Sequence, residues 1–238
     1  MQWIAIDLTT QRAWKMDGHS PIETRTGSTP AELIGDWTGP QVIAGLPDAP
    51  VLNVPCKATP ENGAFPRVRQ TNPQAQLPHS AAVAGLVAMN DRWDGVMIWV
   101  TDQVHWIHVS AGEIISFQSS ALPQIYAPYA VDTPDADAFS AGVALGLDRP
   151  ERMMAHLAAL DAMDQTAVQR AGQALGILTG TDLKSARAYW LGQQVTVVGS
   201  GPIADAYAQA LAAQSAPVST TTDTTLAGLT AVFKGMNK

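Results

Sequence analysis

Two short stretches of this sequence carry side chains whose types and spacing suit work on a phosphate. The first is Asp7, Thr9, Thr10 and Arg12, an acid at the end of an apolar run followed by two hydroxyls and a cation. A strand-end carboxylate beside hydroxyls suits a metal–phosphate group, although the same grouping is common in plain turns. The second is Gly199-Ser200-Gly201-Pro202, which separates an apolar run from a helical pattern. Glycines in that position let backbone amides approach an anion, and the start of a helix favours negative charge. Asp223 follows about 20 residues later, the spacing of an acid that takes a ribose hydroxyl in a dinucleotide site. Too few residues remain after Asp223 for the rest of such a sheet. A module for NAD or FAD is therefore the weaker reading, and a tight turn without a ligand stays open.

Other reactive side chains read as structural. His105 and His108 lie on a strand at a spacing that points them to opposite faces, so they do not share a metal. His19, His79 and His156 stand isolated, and Met153-Met154 reads as helix core. Asp132, Asp135 and Asp137 flank Pro134 as an exposed turn and helix cap. Cys56 is the only cysteine and reads as a small buried hydrophobe. One thiol neither staples a fold nor builds a thiolate metal site, which fits a reducing compartment.

Composition narrows the classes further. The chain has 238 residues, 46% of them apolar and 15% charged, enough to bury a core and too apolar for disorder. Its formal charge of −7, with no Lys/Arg stripe, carries no nucleic-acid footprint and opposes anionic membranes. Neither a basic leader followed by a long apolar stretch nor an apolar run of spanning length is visible, so the cytoplasm is the expected location. The seven Trp sit beside strand-like runs and are expected to pack.

The elements that must position these residues follow from periodicity. Trp3 to Leu8 and Arg12 to Met16 read as strands, the second ending at an Asp17-Gly18 hairpin signal. A short helix over 31–37, strands over 41–45 and 51–54, and a loop over 57–80 follow. Ser80 to Asn90 reads as a small-residue helix. Gly95 to Val100, His105 to Val109 and Glu113 to Phe117 read as three strands. Helices are expected over 138–147, 151–163 and 166–190, then a strand from Gln194 to Val198. The glycine turn leads to a helix over 203–214, a strand over 217–220 and a last helix over 224–235. Strands dominate the first half and helices the second, which predicts an α/β chain in two lobes, 1–136 and 137–238.

With these motifs in view, the chain resembles the 2-dehydro-3-deoxygalactonokinase family over most of its length. Ile4-Ala5-Ile6-Asp7 with Arg12-Ala13-Trp14 is similar to the family's opening strand and its L-R-A-W continuation. Ile43-Ala44-Gly45-Leu46 and Val54-Pro55-Cys56 are similar to its A-G-M and V-P segments, and Asp137 to Gly142 to its D-A-F-x-x-G helix start. Leu175 to Asp182 resembles its L-x-G-L-L-I-G-x-E helix, and Val198 to Gly201 with Leu226-Ala227-Gly228-Leu229 its C-terminus. The departures fall on loops. Asp7 to Arg12 is shorter than the family's D-W-G-T/S-x-N-L-R and lacks its glycine. An R-G-E-E motif would fall near Leu77-Pro78-His79-Ser80, where neither its arginine nor its acids occur. The P-G-T-H-x-K-W loop corresponds to Val100 to Trp106 and keeps only the tryptophan, and Gln124 replaces a glutamate in the T-G-E-L segment.

The resemblance implies the actin-like, ribonuclease H-like ATPase fold with a cleft between two α/β lobes. It implies ATP against Gly199, Ser200, Gly201 and Gly228, Mg²⁺ held by Asp7, and phosphates facing Thr9 and Thr10. Arg12 would steady the sugar acid, and Asp102 is the acid left in the second phosphate loop. For this to work, the opening hairpin and the glycine turn must face one groove. Phosphoryl transfer depends on positioned donors, and losing one costs about 3–4 kcal/mol. Two readings therefore stand side by side: a kinase acting on a small-molecule sugar acid, and an inactive relative that binds a ligand or regulates. A homodimer is left open.

Overall fold

The computed structural model describes residues 1–60 and 64–236. In chain order the elements are β1 (Gln2–Asp7), β2 (Arg12–Asp17), β3 (Ser20–Thr26), α1 (Pro30–Ile34), β4 (Gln41–Ala44), β5 (Val51–Asn53), β6 (Cys56–Lys57), β7 (Arg67–Thr71), β8 (Gln74–Leu77) and α2 (Ala81–Met89). There follow β9 (Gly95–Val100), β10 (Val104–Ser110), β11 (Glu113–Ser120), α3 (Leu122–Tyr126), α4 (Ala136–Asp148), α5 (Met153–Ala159), α6 (Ala167–Ser185) and α7 (Arg187–Trp190). The chain ends with β12 (Val195–Val198), α8 (Pro202–Ala213), β13 (Val218–Thr221) and α9 (Thr225–Met236). No helix among the described residues is long and apolar enough to cross a membrane.

The chain forms two compact units that are not contiguous in sequence. The first comprises residues 1–94, 109–117 and 223–238, and the second 95–108 and 118–222. This differs from a boundary at 136/137 for a physical reason. The apolar β9 finds its parallel partner in β12, and α9 returns to pack on α2. Sequence neighbours thus part company where long-range burial outweighs proximity.

In the first unit, β1 is buried from Trp3 to Asp7 and lies between β2 and β4 in the order β3–β2–β1–β4. It runs antiparallel to β2 and parallel to β4, with Asp7 beside both Arg12 and Ala44. Its core includes Trp3, Trp14, Met16, Phe65 and the apolar face of α9, and Trp3 stacks on Phe233 at 4.2 Å between ring centroids. The α2–α9 crossing is close: a Cβ on Gly85 would lie 1.7 Å from the Thr224 carbonyl oxygen, and one on Gly228 2.0 Å from that of Ala81.

In the second unit the strands run in the order β13–β12–β9–β10, and β13, β12 and β9 are parallel. Helices α4, α6 and α8 contribute to the core against this sheet. Asp135 caps α4 by accepting from the Ala138 amide at 2.8 Å, and Thr166 with Gln169 forms a capping box at the start of α6. The helix expected over 166–190 breaks at Ala186 into α6 and α7. Six of the seven Trp are buried, so packing is their role.

Candidate functional site

Parallel strands end together, and ligands of α/β folds gather at their carboxyl ends. In the first unit, β1 and β4 end side by side at Asp7 and Ala44. Asp7 has no exposed surface. The Thr9 amide donates to its Oδ1 at 2.9 Å and the Thr10 hydroxyl to its Oδ2 at 2.7 Å, an acid gripped by its own turn. Gln11 closes the hairpin at φ 56°. Gly45, at φ 83°, allows the close approach, since a Cβ there would lie 2.7 Å from the Thr9 hydroxyl.

His79 completes this cluster. It too is fully buried, and its Nε2 lies 3.2 Å from Asp7 Oδ1. Its Nδ1 accepts from the Ala81 amide at 3.1 Å. Burial pushes the Asp7 carboxyl upward, but the neighbouring His79, with Thr10 and Thr9, outweighs it and holds Asp7 below the usual carboxylate value. The expectation that His79 stands alone is thus corrected. The two residues are far apart in the chain, and no spacing rule links them.

Mg²⁺ needs carboxylate oxygens open to the ion and commonly shares them with substrate phosphates. Asp7 is buried with both oxygens engaged, and among the described residues no group of three or more His, Cys, Asp or Glu could hold a metal. As placed, Asp7 does not fit a directly bound Mg²⁺. Arg12 reaches Asp223 at 3.9 Å and lies over the Trp14 ring at 5.1 Å, on the surface. Asp223 also accepts from the Thr225 amide at 2.8 Å, at the start of α9. It belongs to the first unit, where Arg12 and the start of α9 are its partners. Gly228 is buried in the α2–α9 crossing, where its missing side chain permits the close approach.

In the second unit, β9, β12 and β13 end at one sheet edge, with Val198 beside Trp99 and Thr221. Gly199 follows at φ 151° and its amide donates to the Thr221 carbonyl at 3.0 Å. A Cβ on Gly199 would lie 2.9 Å from that of Val100. Gly201 caps α8 at φ 85° and ψ −178°, a conformation suited to glycine, and Pro202 opens the helix. Ser200 and Gly201 are exposed.

The neighbouring β9–β10 turn is held by the Thr101 hydroxyl, which donates to the Gln103 carbonyl at 3.0 Å and approaches Asp102 Oδ1 at 3.1 Å. Asp102 is exposed. The structure therefore brings Asp102 to the same sheet edge as Gly199, Ser200 and Gly201. Behind this turn His105 is buried, with Nδ1 2.7 Å from the Ser119 hydroxyl. Burial lowers its pKa to about 4, against a weaker upward pull from Asp102. Beside α8 lies a cavity of about 310 Å³ lined by Asp132, Phe139, Leu175, Pro202, Asp205 and Gln209, among others.

The fold that carries these two strand-end clusters is mixed α/β. It is shared with a solved structure of a Sinorhizobium meliloti protein, provisionally described as a 2-dehydro-3-deoxygalactonokinase. The TM-score is 0.84 over 99% of this chain and 98% of that one, at 16% identity. At that identity the likeness is one of fold. A family model described as 2-keto-3-deoxy-galactonokinase matches residues 80–232. The chain belongs to that kinase family. The matched segment contains the glycine turn, Asp102 and α8, and begins just after His79. A search of curated proteins finds no match.

Proposed function

We propose that this protein is an ATP-dependent kinase that phosphorylates the terminal hydroxyl of 2-keto-3-deoxygalactonate or a related sugar acid, on the two-lobed actin-like frame its motifs suggest. The glycine turn carries this reading. Within the family-matched segment, exposed Ser200 and Gly201 stand at the carboxyl ends of parallel strands and at the start of α8. Backbone amides there suit phosphate oxygens. ATP supplies the phosphoryl group. Asp102 is the acid at the same edge and the candidate to receive the proton of the sugar hydroxyl. Thr9 and Thr10, exposed on the β1–β2 turn, are candidate phosphate contacts, and Arg12 is the candidate partner of the sugar carboxylate.

A second reading, an inactive relative that binds a ligand or regulates, is favoured by one observation: Asp7 is fully engaged inside the protein. One experiment separates the two. ADP release is followed with ATP and 2-keto-3-deoxygalactonate, and ligand binding by calorimetry. The kinase reading expects ADP only when both substrates are present, and a loss of about 10²-fold or more in kcat for Asp102→Asn. Sugar-acid binding without ADP release would favour the inactive relative. A wild-type chain that binds no nucleotide would end the kinase reading.

A further inference from the structure

Asp7 is the acid the sequence offers for a metal, and the structure gives it another occupation. Two donors hold its carboxylate, the Thr9 amide and the Thr10 hydroxyl, and His79 Nε2 lies 3.2 Å from Oδ1. The tautomer of His79 follows from geometry. The Ala81 amide donates to Nδ1, so Nδ1 is the acceptor and the ring proton resides on Nε2, which faces Asp7. Nε2 thus faces the Asp7 carboxylate at 3.2 Å, with both residues closed to solvent. The pair ties the end of β1 to the residue that leads into α2, while Thr9, Thr10 and Gln11 remain exposed on the turn that Asp7 anchors.

We propose that Asp7 and His79 form a buried positioning dyad, which fixes the β1–β2 turn and withdraws Asp7 from metal coordination. The dyad does not depend on the kinase reading; only the phosphate assigned to the exposed Thr9 and Thr10 rests on it. Removing a buried donor leaves the acid uncompensated, whereas a side chain that still donates restores it.

The test uses the full chain in three arms. Nitrogen–proton correlation spectra of the imidazoles, with His79 assigned by triple-resonance spectra of the wild type, are expected to show a protonated Nε2 and a bare Nδ1. The opposite tautomer overturns the dyad. Thermal melts are expected to place His79→Leu well below wild type and His79→Gln between them; equal losses overturn the donor role. Mn²⁺ titrations by electron paramagnetic resonance, with and without ATP, are expected to give the same affinity for wild type and Asp7→Asn. A weakening of about tenfold or more in Asp7→Asn restores Asp7 as a ligand and overturns the proposal. If the variants fail to fold, the wild-type tautomer decides. Absence of nucleotide binding would sink the kinase reading, yet the tautomer and the ATP-free Mn²⁺ arm would still judge the dyad.

Discussion

His105 sits 2% exposed behind the β9–β10 turn, with Ser119 as its hydrogen-bonding partner. Burial penalises the imidazolium, which is why its pKa falls from 6.5 to about 4. As pH drops, the unfolded chain takes up this proton first, so stability is full above about 6.5 and lost progressively between there and about 4. The loss approaches about 3 kcal/mol at the acid end. His105→Gln removes the titration and keeps a polar partner for Ser119. Its Tm should fall less steeply than that of wild type between these pH values; parallel curves would refute the assignment. At this scale the sequence was partly legible. Asp7, Asp102 and the glycine turn announce themselves by type and position. His79 does not, because its meaning comes from a partner brought in by folding. Gly228 shows the limit of residue type, since a glycine that permits close helix packing looks the same as one that cradles a phosphate. Cys56 is half-buried, and burial beside Glu113 raises its thiol pKa, so it is no activated nucleophile.

The elements were legible where apolar runs are unbroken. β1, β9 and β12 are buried almost throughout and read plainly. β3 is nearly all exposed and polar, so no periodicity marks it. β7 and β8 fall in the stretch expected as a loop; there Val68, Gln70 and Leu77 are buried, and Gln70 accepts from the Phe117 amide at 2.8 Å. A glutamine serving as an inward strand residue hides the alternation. Polar groups also tie elements in the second unit. Asp182 on α6 accepts from Trp106 Nε1 on β10 at 2.7 Å and from the Tyr207 hydroxyl on α8 at 2.5 Å. Burial raises its pKa, and the hydrogen bonds pull it back. Asp182→Leu strands both donors and should cost about 2–4 kcal/mol in urea unfolding, with Asp182→Asn costing less because an acceptor remains. Equal losses would show that packing alone matters. In the first unit, Gly85→Ala meets backbone at the α2–α9 crossing and should destabilise by about 2–3 kcal/mol or more.

For the chain as a whole, the expected division into 1–136 and 137–238 followed the change from strand to helix patterns, whereas the compact units follow long-range burial. A fragment ending at 136 keeps β9, whose residues Gly95 to Trp99 are buried, but loses β12, its parallel neighbour. It also loses α9, leaving Trp3 without Phe233 and the face of α2 at Gly85 without its cover. The fragment 137–238 keeps β12 and β13 but lacks β9 and β10, and it carries α9 without α2. Each piece would expose apolar strand or helix surface that neither can bury alone, at a cost of about 25 cal/mol for each Å². Neither should give a cooperative thermal transition or dispersed amide spectra, while the intact chain should give both. Mixing the fragments should recover structure that each lacks, because β9 and β12 then meet again. A cooperative melt from 1–136 alone would show that the first half holds a complete core, and the discontinuous division of the chain would then be wrong.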